Sequence, residues 1–309
     1  MLSRIAESLF WVGRYSERAG ATARMLEIHL RTLAEETSTP EVESCANLLA
    51  LLQVDAPAEP THADCVRILG FDAREPTSMV SAWSAARDNA RRAREVIPLE
   101  LWECINLTWQ QLPSGQHRSA QSYAFLQWAR ERASLFSGIA RATMVRDDGW
   151  QFLLLGGSLE AADMTSRIVS AAAPSMGSTP WATVLRSVGA HDAFMRTYRG
   201  VRADREAAQF LILDDRLPRS VMHGLEAAQS CLQTIMTSFP NPSADATWAA
   251  RELGRIRAQL EYLPLEKLLD DLDTQMRAVQ DVCAQVTLAT GSSFFAAADP
   301  LAWITEGAR

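Results

Sequence analysis

The chain has 309 residues, of which 48% are hydrophobic and 22% charged, and its formal net charge is −7 at pH 7. This composition is typical of a soluble protein with a sizeable core and excludes a disordered tail. The acidic balance disfavours nucleic acid and anionic membranes as partners, so we expect neither. No apolar run approaches the about 18 residues that span a bilayer, and the N-terminus does not resemble a signal peptide, so we expect a cytoplasmic protein.

Helical periodicity runs through the whole chain. From Ile5 to position 33, apolar or small residues recur at alternating steps of four and three, which predicts one long helix with Ser3 as its N-cap. Further amphipathic patterns follow at 41–54, 77–111, 117–143, 147–172, 181–199, 203–213, 218–238, 244–259 and 262–289. Pro and Gly mark the breaks, with loops predicted at 55–62 and 173–180, and strand-type alternation is almost absent. We therefore predict an all-α fold, a single large helical bundle that forms one domain over 1–309.

Two segments of the chain share a motif at an offset of 143 residues. Gly, Glu, Ala, Thr and Arg recur at the same places in 13–25 and in 156–168. Because both segments lie in predicted helices, the motif indicates an internal pseudo-two-fold duplication. The repeat halves are predicted at approximately 1–145 and 146–309.

Each motif places a glutamate one turn beyond a glycine and an arginine two turns further on the same helix face. If the two helices cross antiparallel, Glu17 should face Arg167 and Glu160 should face Arg24 as reciprocal bidentate pairs. A parallel crossing would instead bring carboxylate against carboxylate. Such pairs either fix helix register inside the bundle or line a polar cavity that binds a substrate carboxylate, phosphate or amine.

The first residues of the chain also resemble a known family. Residues 1–19, with Trp11, Gly13-Arg14 and Glu17-Arg18, are similar to the N-terminus of the Alpha-E proteins, an all-helical bacterial domain of unknown function named for a Glu-Arg motif. The resemblance continues in 86–91, 101–106, 160–167, 210–221 and 254–262.

Three positions depart from the family's pattern, namely Gly20, Asp88 and Ala161. Ala161 stands where an arginine often follows the second motif glutamate. Any site is therefore expected to be asymmetric, with the N-terminal copy carrying the function.

The resemblance implies a role in amide-bond chemistry. Family members are typically encoded beside circularly permuted ATP-grasp proteins and transglutaminase-like proteins, which implies that this chain is an accessory or partner subunit of an ATP-grasp amide or peptide ligase. Because the sequence has no phosphate-binding glycine loop, we expect ATP and Mg²⁺ on the ATP-grasp partner, and no cofactor or metal on this chain. The alternatives are a stand-alone acyl- or amide-transfer enzyme that uses Glu17 or Glu160 as acid or base, and a purely structural helical scaffold.

Polar side chains near the two motifs and on two further helices complete the candidate site. The catalytic candidates are Glu17 and Glu160, and the candidate binding residues are Arg14, Arg18, Arg24, Arg167, Arg87, Asn89, Arg91, Arg219 and Ser220. The group from Arg87 to Arg91 forms either a solvated basic face or an anion-binding patch. Ser220 lies near the start of a predicted helix, where it can cap the helix or contribute to a small anion site.

The five cysteines are scattered without the spacing of a zinc or redox motif, and we expect them to be reduced core residues. The histidines His29, His117, His191 and His223 are isolated in the sequence and are expected to be structural.

Overall fold

The computed structural model describes residues 3–35, 40–112, 122–173, 181–198, 204–239 and 242–295. These residues form helices and contain no strand, which confirms the predicted all-α class. The helices are α1 (Ser3–Glu35), α2 (Glu41–Leu51), α3 (His62–Cys65), α4 (Met79–Arg92), α5 (Leu99–Gln110), α6 (Ser122–Thr143), α7 (Asp148–Ala172), α8 (Trp181–Val188), α9 (His191–Thr197), α10 (Asp204–Leu213), α11 (Val221–Thr237), α12 (Ala244–Tyr262), α13 (Leu265–Asp270) and α14 (Leu272–Phe294). A π-helical turn, Val66–Phe71, extends α3. In the part of the chain that is described, no helix has the length and apolar character needed to cross a bilayer.

The long helix predicted from Ile5 is confirmed as α1, although Ser3, the predicted N-cap, is itself helical. Three other predicted helices are divided. The pattern at 77–111 separates into α4 and α5 because Pro98, which has no backbone N–H, stands at the N-cap of α5. The pattern at 181–199 breaks at Gly189, whose φ of 79° a helix cannot accommodate.

The third divided pattern, 262–289, breaks at Asp271 between α13 and α14. The sequence did not predict α3 and the π-helical turn, which follow the predicted loop at 55–62. Of the predicted loop at 173–180, all but its first residue lies outside the described residues.

The two motif helices, α1 and α7, form the centre of the fold. Five consecutive residues in each, 19–23 and 162–166, are buried, so both helices are enclosed on every side there. The carbonyl of Phe10 lies against Gly156, and one turn later on both helices Arg14 pairs with Glu160. Because the contacts advance along both helices together, α1 and α7 run parallel.

The central helices touch backbone to backbone at the motif glycines. A Cβ added to Gly13 would lie 2.0 Å from the carbonyl oxygen of Leu153, and one added to Gly156 would lie 2.0 Å from that of Phe10. Each glycine therefore faces the carbonyl three residues before the other glycine. No residue with a side chain fits at either position, which explains two glycines inside helices that glycine otherwise destabilises.

Each central helix belongs to a ring of four helices. α1 packs against α4 and α6, which α5 joins, and α7 packs against α11 and α14, which α12 joins. The hydroxyl of Thr22 donates to the carbonyl of Thr77, and the hydroxyl of Thr165 donates to the carbonyl of Arg219. Both acceptors directly precede the serine that caps α4 or α11. A duplicated chain is expected to repeat such contacts in its two halves. The division into two repeat halves remains a prediction.

The glycine contact can be tested by adding one methyl group. We expect Gly156→Ala to lower the free energy of unfolding by about 1–3 kcal/mol or more, because the new Cβ must push the backbone of Phe10 away. Urea unfolding monitored by circular dichroism measures the change.

The matched control is Gly138→Ala, in an exposed part of α6 where a Cβ meets nothing within 4 Å. There alanine should raise the free energy of unfolding by up to about 1 kcal/mol through helix propensity alone. Equal effects of the two substitutions would contradict the close crossing.

Candidate functional site

Glu160 is buried beside the crossing, with 1% of its surface exposed. Arg14 Nε donates to its Oε2 at 2.7 Å, and Arg18 donates from Nε to Oε1 at 2.5 Å and from Nη2 to Oε2 at 3.0 Å. Burial disfavours the carboxylate, but the two guanidinium charges outweigh it and lower the pKa of Glu160 from 4.5 to about 2. A carboxylate held this way does not exchange protons near neutral pH. The structure therefore favours a structural role for Glu160 over the acid or base role considered above.

The predicted reciprocal pairing of the two motifs is wrong. Arg167 donates to Asp163 on its own helix at 2.9 Å, and Glu160 pairs with Arg14 and Arg18 instead of Arg24. The cause is the parallel course of α1 and α7, which carries each late arginine away from the other helix's glutamate. The carboxylates do not oppose each other either, since each has its own arginine partners.

Glu17 lines an open cavity with a volume of about 260 Å³ between α1, α6, α7 and α11. Arg219 Nη1 donates to Glu17 Oε1 at 2.5 Å. Both side chains are partly exposed, 24% for Glu17 and 31% for Arg219, so solvent reaches this pair. The two motif glutamates thus lie in opposite environments, one enclosed and one accessible.

The cavity exists because the second motif lacks two arginines. At the motif offset, Arg14 corresponds to Gly157 and Arg18 corresponds to Ala161. Arg14 and Arg18 fill the space around Glu160, whereas Gly157 and Ala161 line the open space beside Glu17. The departure from the family pattern at Ala161 therefore opens a cavity next to the glutamate of the other motif.

Two residues that the sequence did not single out, Arg141 and Trp150, also line the cavity, and so does His223, which was expected to be structural. His223 Nδ1 lies 2.6 Å from the carbonyl oxygen of Asp215. A carbonyl only accepts, so Nδ1 donates, and the neutral ring carries its lone pair on Nε2. One indication of this was present in the sequence: His223 lies in the first turn of the helix that begins after the candidate residues Arg219 and Ser220.

Ser220 has no exposed surface and caps α11. Its Oγ accepts a hydrogen bond from the backbone N–H of His223 at 3.0 Å. Of the two roles considered for Ser220, the structure favours helix capping, and this cap positions both Arg219 and His223 at the cavity.

The candidate residues on α4 do not line the Glu17 cavity. Arg87 donates to Asn106 and lies over the ring of Trp109, 4.0 Å from its centroid. Asn89 donates to a carbonyl of its own helix, and Arg91 is exposed. This arrangement favours a solvated basic face.

Arg24 lies in a second, more open cleft together with Arg130 and Arg186. Its Nη1 has no hydrogen-bond partner among the described residues, and its side chain packs on Gly189. Burial, followed by repulsion from Arg219, lowers the pKa of Arg24 to about 10. The guanidinium remains charged at neutral pH and adds positive potential between this cleft and the Glu17 cavity.

Together these features define an all-helical domain built on a Glu/Arg centre. Residues 1–295 match the Alpha-E family, described as a predicted alpha-helical domain with a conserved ER motif, and the chain belongs to this family. The Glu17-Arg18 dipeptide at the crossing fits that description.

Similar curated proteins occur in Mycobacterium bovis and in the CDC 1551 and H37Rv strains of Mycobacterium tuberculosis, and their names call them uncharacterised. Each is 23% identical over 329 residues, which covers 93% of this chain and 37% of the relative. The chain thus spans well under half the length of these relatives. No solved structure matches it.

The two motif glutamates should respond differently to the same substitution. Glu160→Gln leaves the buried guanidinium of Arg14 and the partly buried one of Arg18 without their counter-charge, so we expect the free energy of unfolding to fall by about 3–5 kcal/mol. Glu17→Gln breaks a partly exposed pair and should lower it by less than about 1 kcal/mol. Urea unfolding at neutral pH compares them, and a larger loss in Glu17→Gln would reverse the assignment of the two roles.

Glu160 also predicts a dependence of stability on pH. Its pKa is lowered from 4.5 to about 2 in the folded protein, so its contribution is complete above pH 4.5 and disappears as the pH falls toward 2. The shift corresponds to about 3 kcal/mol. Between about pH 5 and about pH 3, unfolding curves should show a loss of about 2 kcal/mol of this contribution in the wild type and in Glu17→Gln but not in Glu160→Gln.

Proposed function

We propose that this chain is the accessory subunit of an ATP-grasp amide ligase, and that the cavity beside Glu17 receives the amine-bearing substrate. The observation that carries the proposal is the asymmetry of the crossing. One glutamate is enclosed by two arginines, and the other opens into a cavity that is also lined by one histidine and two arginines.

The lining of the cavity suits a small molecule that carries both a positive and a negative charge. Glu17 attracts an ammonium group, Arg141 and Arg219 attract a carboxylate, and Trp150 with Leu153 provides an apolar surface. The volume of about 260 Å³ is below the range of about 300–1,000 Å³ common for ligand pockets. A substrate of the size of one amino acid matches this space better than a nucleotide does.

Two observations support a partner. The sequence has no phosphate-binding glycine loop, so ATP and Mg²⁺ belong on the ATP-grasp protein. In the mycobacterial relatives the matching region is only 37% of the protein, so there it is covalently joined to a much longer chain. A transglutaminase-like protein is a further candidate partner for the same amide chemistry, and the cytoplasm is the compartment where ATP is supplied.

A second candidate function is a stand-alone acyl- or amide-transfer enzyme. His223 favours it, because the hydrogen bond to Asp215 orients the ring and leaves Nε2 as the basic nitrogen, while Glu17 lines the same cavity. A purely structural scaffold accounts for the enclosed surroundings of Glu160 but not for the cavity beside Glu17.

The cavity can be closed by restoring the missing arginine. Ala161→Arg places a guanidinium at the position equivalent to Arg18, where it should pair with Glu17 and fill the space. We expect this variant to stay folded and to bind the ATP-grasp protein, but to lose at least about 100-fold in ATP-dependent amide formation, since the substrate amine is no longer positioned. ADP release and product mass with a panel of free amino acids as acceptors measure the activity.

The matched control is Ala258→Arg, at an exposed position of α12 outside the cavity, which should behave as the wild type. Full activity of Ala161→Arg would refute the role of the cavity.

The partner is tested separately. A tagged chain purified from its native host should bring with it an ATP-grasp protein identified by mass spectrometry, and the purified chain alone should form no amide. Recovery of no ATP-grasp protein would refute the accessory role. Amide formation by the chain alone, lost in His223→Gln, would establish the enzyme alternative.

A further inference from the structure

A second cluster of reactive side chains lies apart from the Glu17 cavity. His29 of α1, Cys45 of α2 and Cys65 of α3 each offer one ligand atom, and these atoms all lie within 4.8 Å of one another. His29 Nε2 and Cys45 Sγ are 3.6 Å apart, and both cysteines have no exposed surface. The two cysteines form no disulfide, and the thiol of Cys65 lies 3.8 Å from the carbonyl oxygen of Cys45.

We propose that His29, Cys45 and Cys65 form a binding site for a borderline-soft transition-metal dication, of which Zn²⁺ is the natural choice. With Zn–S bonds of about 2.3 Å and Zn–N bonds of about 2.0–2.1 Å, two tetrahedral ligands of these kinds lie about 3.5 Å apart. The distance between His29 Nε2 and Cys45 Sγ agrees with that value. One imidazole nitrogen and two sulfurs are also the ligand types that select zinc over Mg²⁺ or Ca²⁺.

The charge balance favours a dication in this buried place. Binding converts both thiols to thiolates and releases two protons to solvent, so one M²⁺, two thiolates and a neutral imidazole sum to zero. Both thiols are fully buried and His29 is partly buried, so the protein would shield a bound dication from water.

The three ligands leave a fourth position. His29 is the partly exposed member of the cluster, so solvent fills the fourth position from its side. The metal would fasten α2 and α3 to the C-terminal half of α1.

Zinc content and affinity test the site directly in the full chain. Protein prepared without an affinity tag that chelates metals should contain about one Zn²⁺ per chain by plasma mass spectrometry. After replacement by Co²⁺ it should show the absorption of thiolate-to-cobalt charge transfer. Cys45→Ser and Cys65→Ser should each weaken Zn²⁺ binding at least about 100-fold in a competition with a chromophoric chelator.

Cys231→Ser is the matched control, because Cys231 is an equally buried free thiol on α11 that the cluster does not include. It should keep the zinc. If a serine variant fails to fold, thiol labelling of the wild type decides. Zn²⁺ should slow the reaction of two thiols with a maleimide, and a chelator should restore the faster rate.

Three results would overturn the proposal. The first is Zn²⁺ affinity that neither serine substitution changes, which would mean an adventitious ion only. The second is a cobalt spectrum without thiolate charge transfer. The third is a disulfide between Cys45 and Cys65 in protein isolated from a reducing cytoplasm.

Discussion

The backbone contact between Gly13 and Gly156 is the constraint on which the rest of the structure depends. Two parallel helices that meet without intervening side chains exclude water from the space between them, and Glu160, which lies beside this contact, is removed from water. Glu160 keeps its charge there only because Arg14 and Arg18 supply three hydrogen bonds and two positive charges. The glycines therefore determine both the position of α7 on α1 and the need for the arginines.

The two sides of the crossing between α1 and α7 are unequal. On one side the first motif contributes Arg14 and Arg18, which fill the space and keep the carboxylate of Glu160 charged. Where the second motif contributes Gly157 and Ala161, the space stays open, and Arg219 from the turn before α11 pairs with Glu17. A nearly symmetric crossing thus has two different sides. On the enclosed side Glu160 is paired and buried, and on the accessible side Glu17 remains in contact with solvent.

Periodicity and glycine placement were enough to predict the helical class, the long first helix and the importance of the two motifs. They could not give the direction of the crossing, because a Gly, Glu and Arg series on one helix face is compatible with parallel and antiparallel neighbours alike. Arg219 and the His29 cluster were not predictable as partners either. Each depends on contacts between residues far apart in the chain, whereas Pro98 is a local signal that predicts the break between α4 and α5.

The peripheral helices α2 and α3 are held to the protein by different contacts from those between α1 and α7. α2 and α3 lie outside both four-helix rings and carry few of the buried polar contacts that hold α1 and α7 together. Their attachment therefore rests on a small apolar surface and on the cluster of His29, Cys45 and Cys65. His29 lies more than three turns beyond Glu17 on α1, so the cluster is well separated from the crossing. The enclosed ion pairs of the centre, the open space beside Glu17 and the attachment of α2 and α3 thus involve different parts of one long helix.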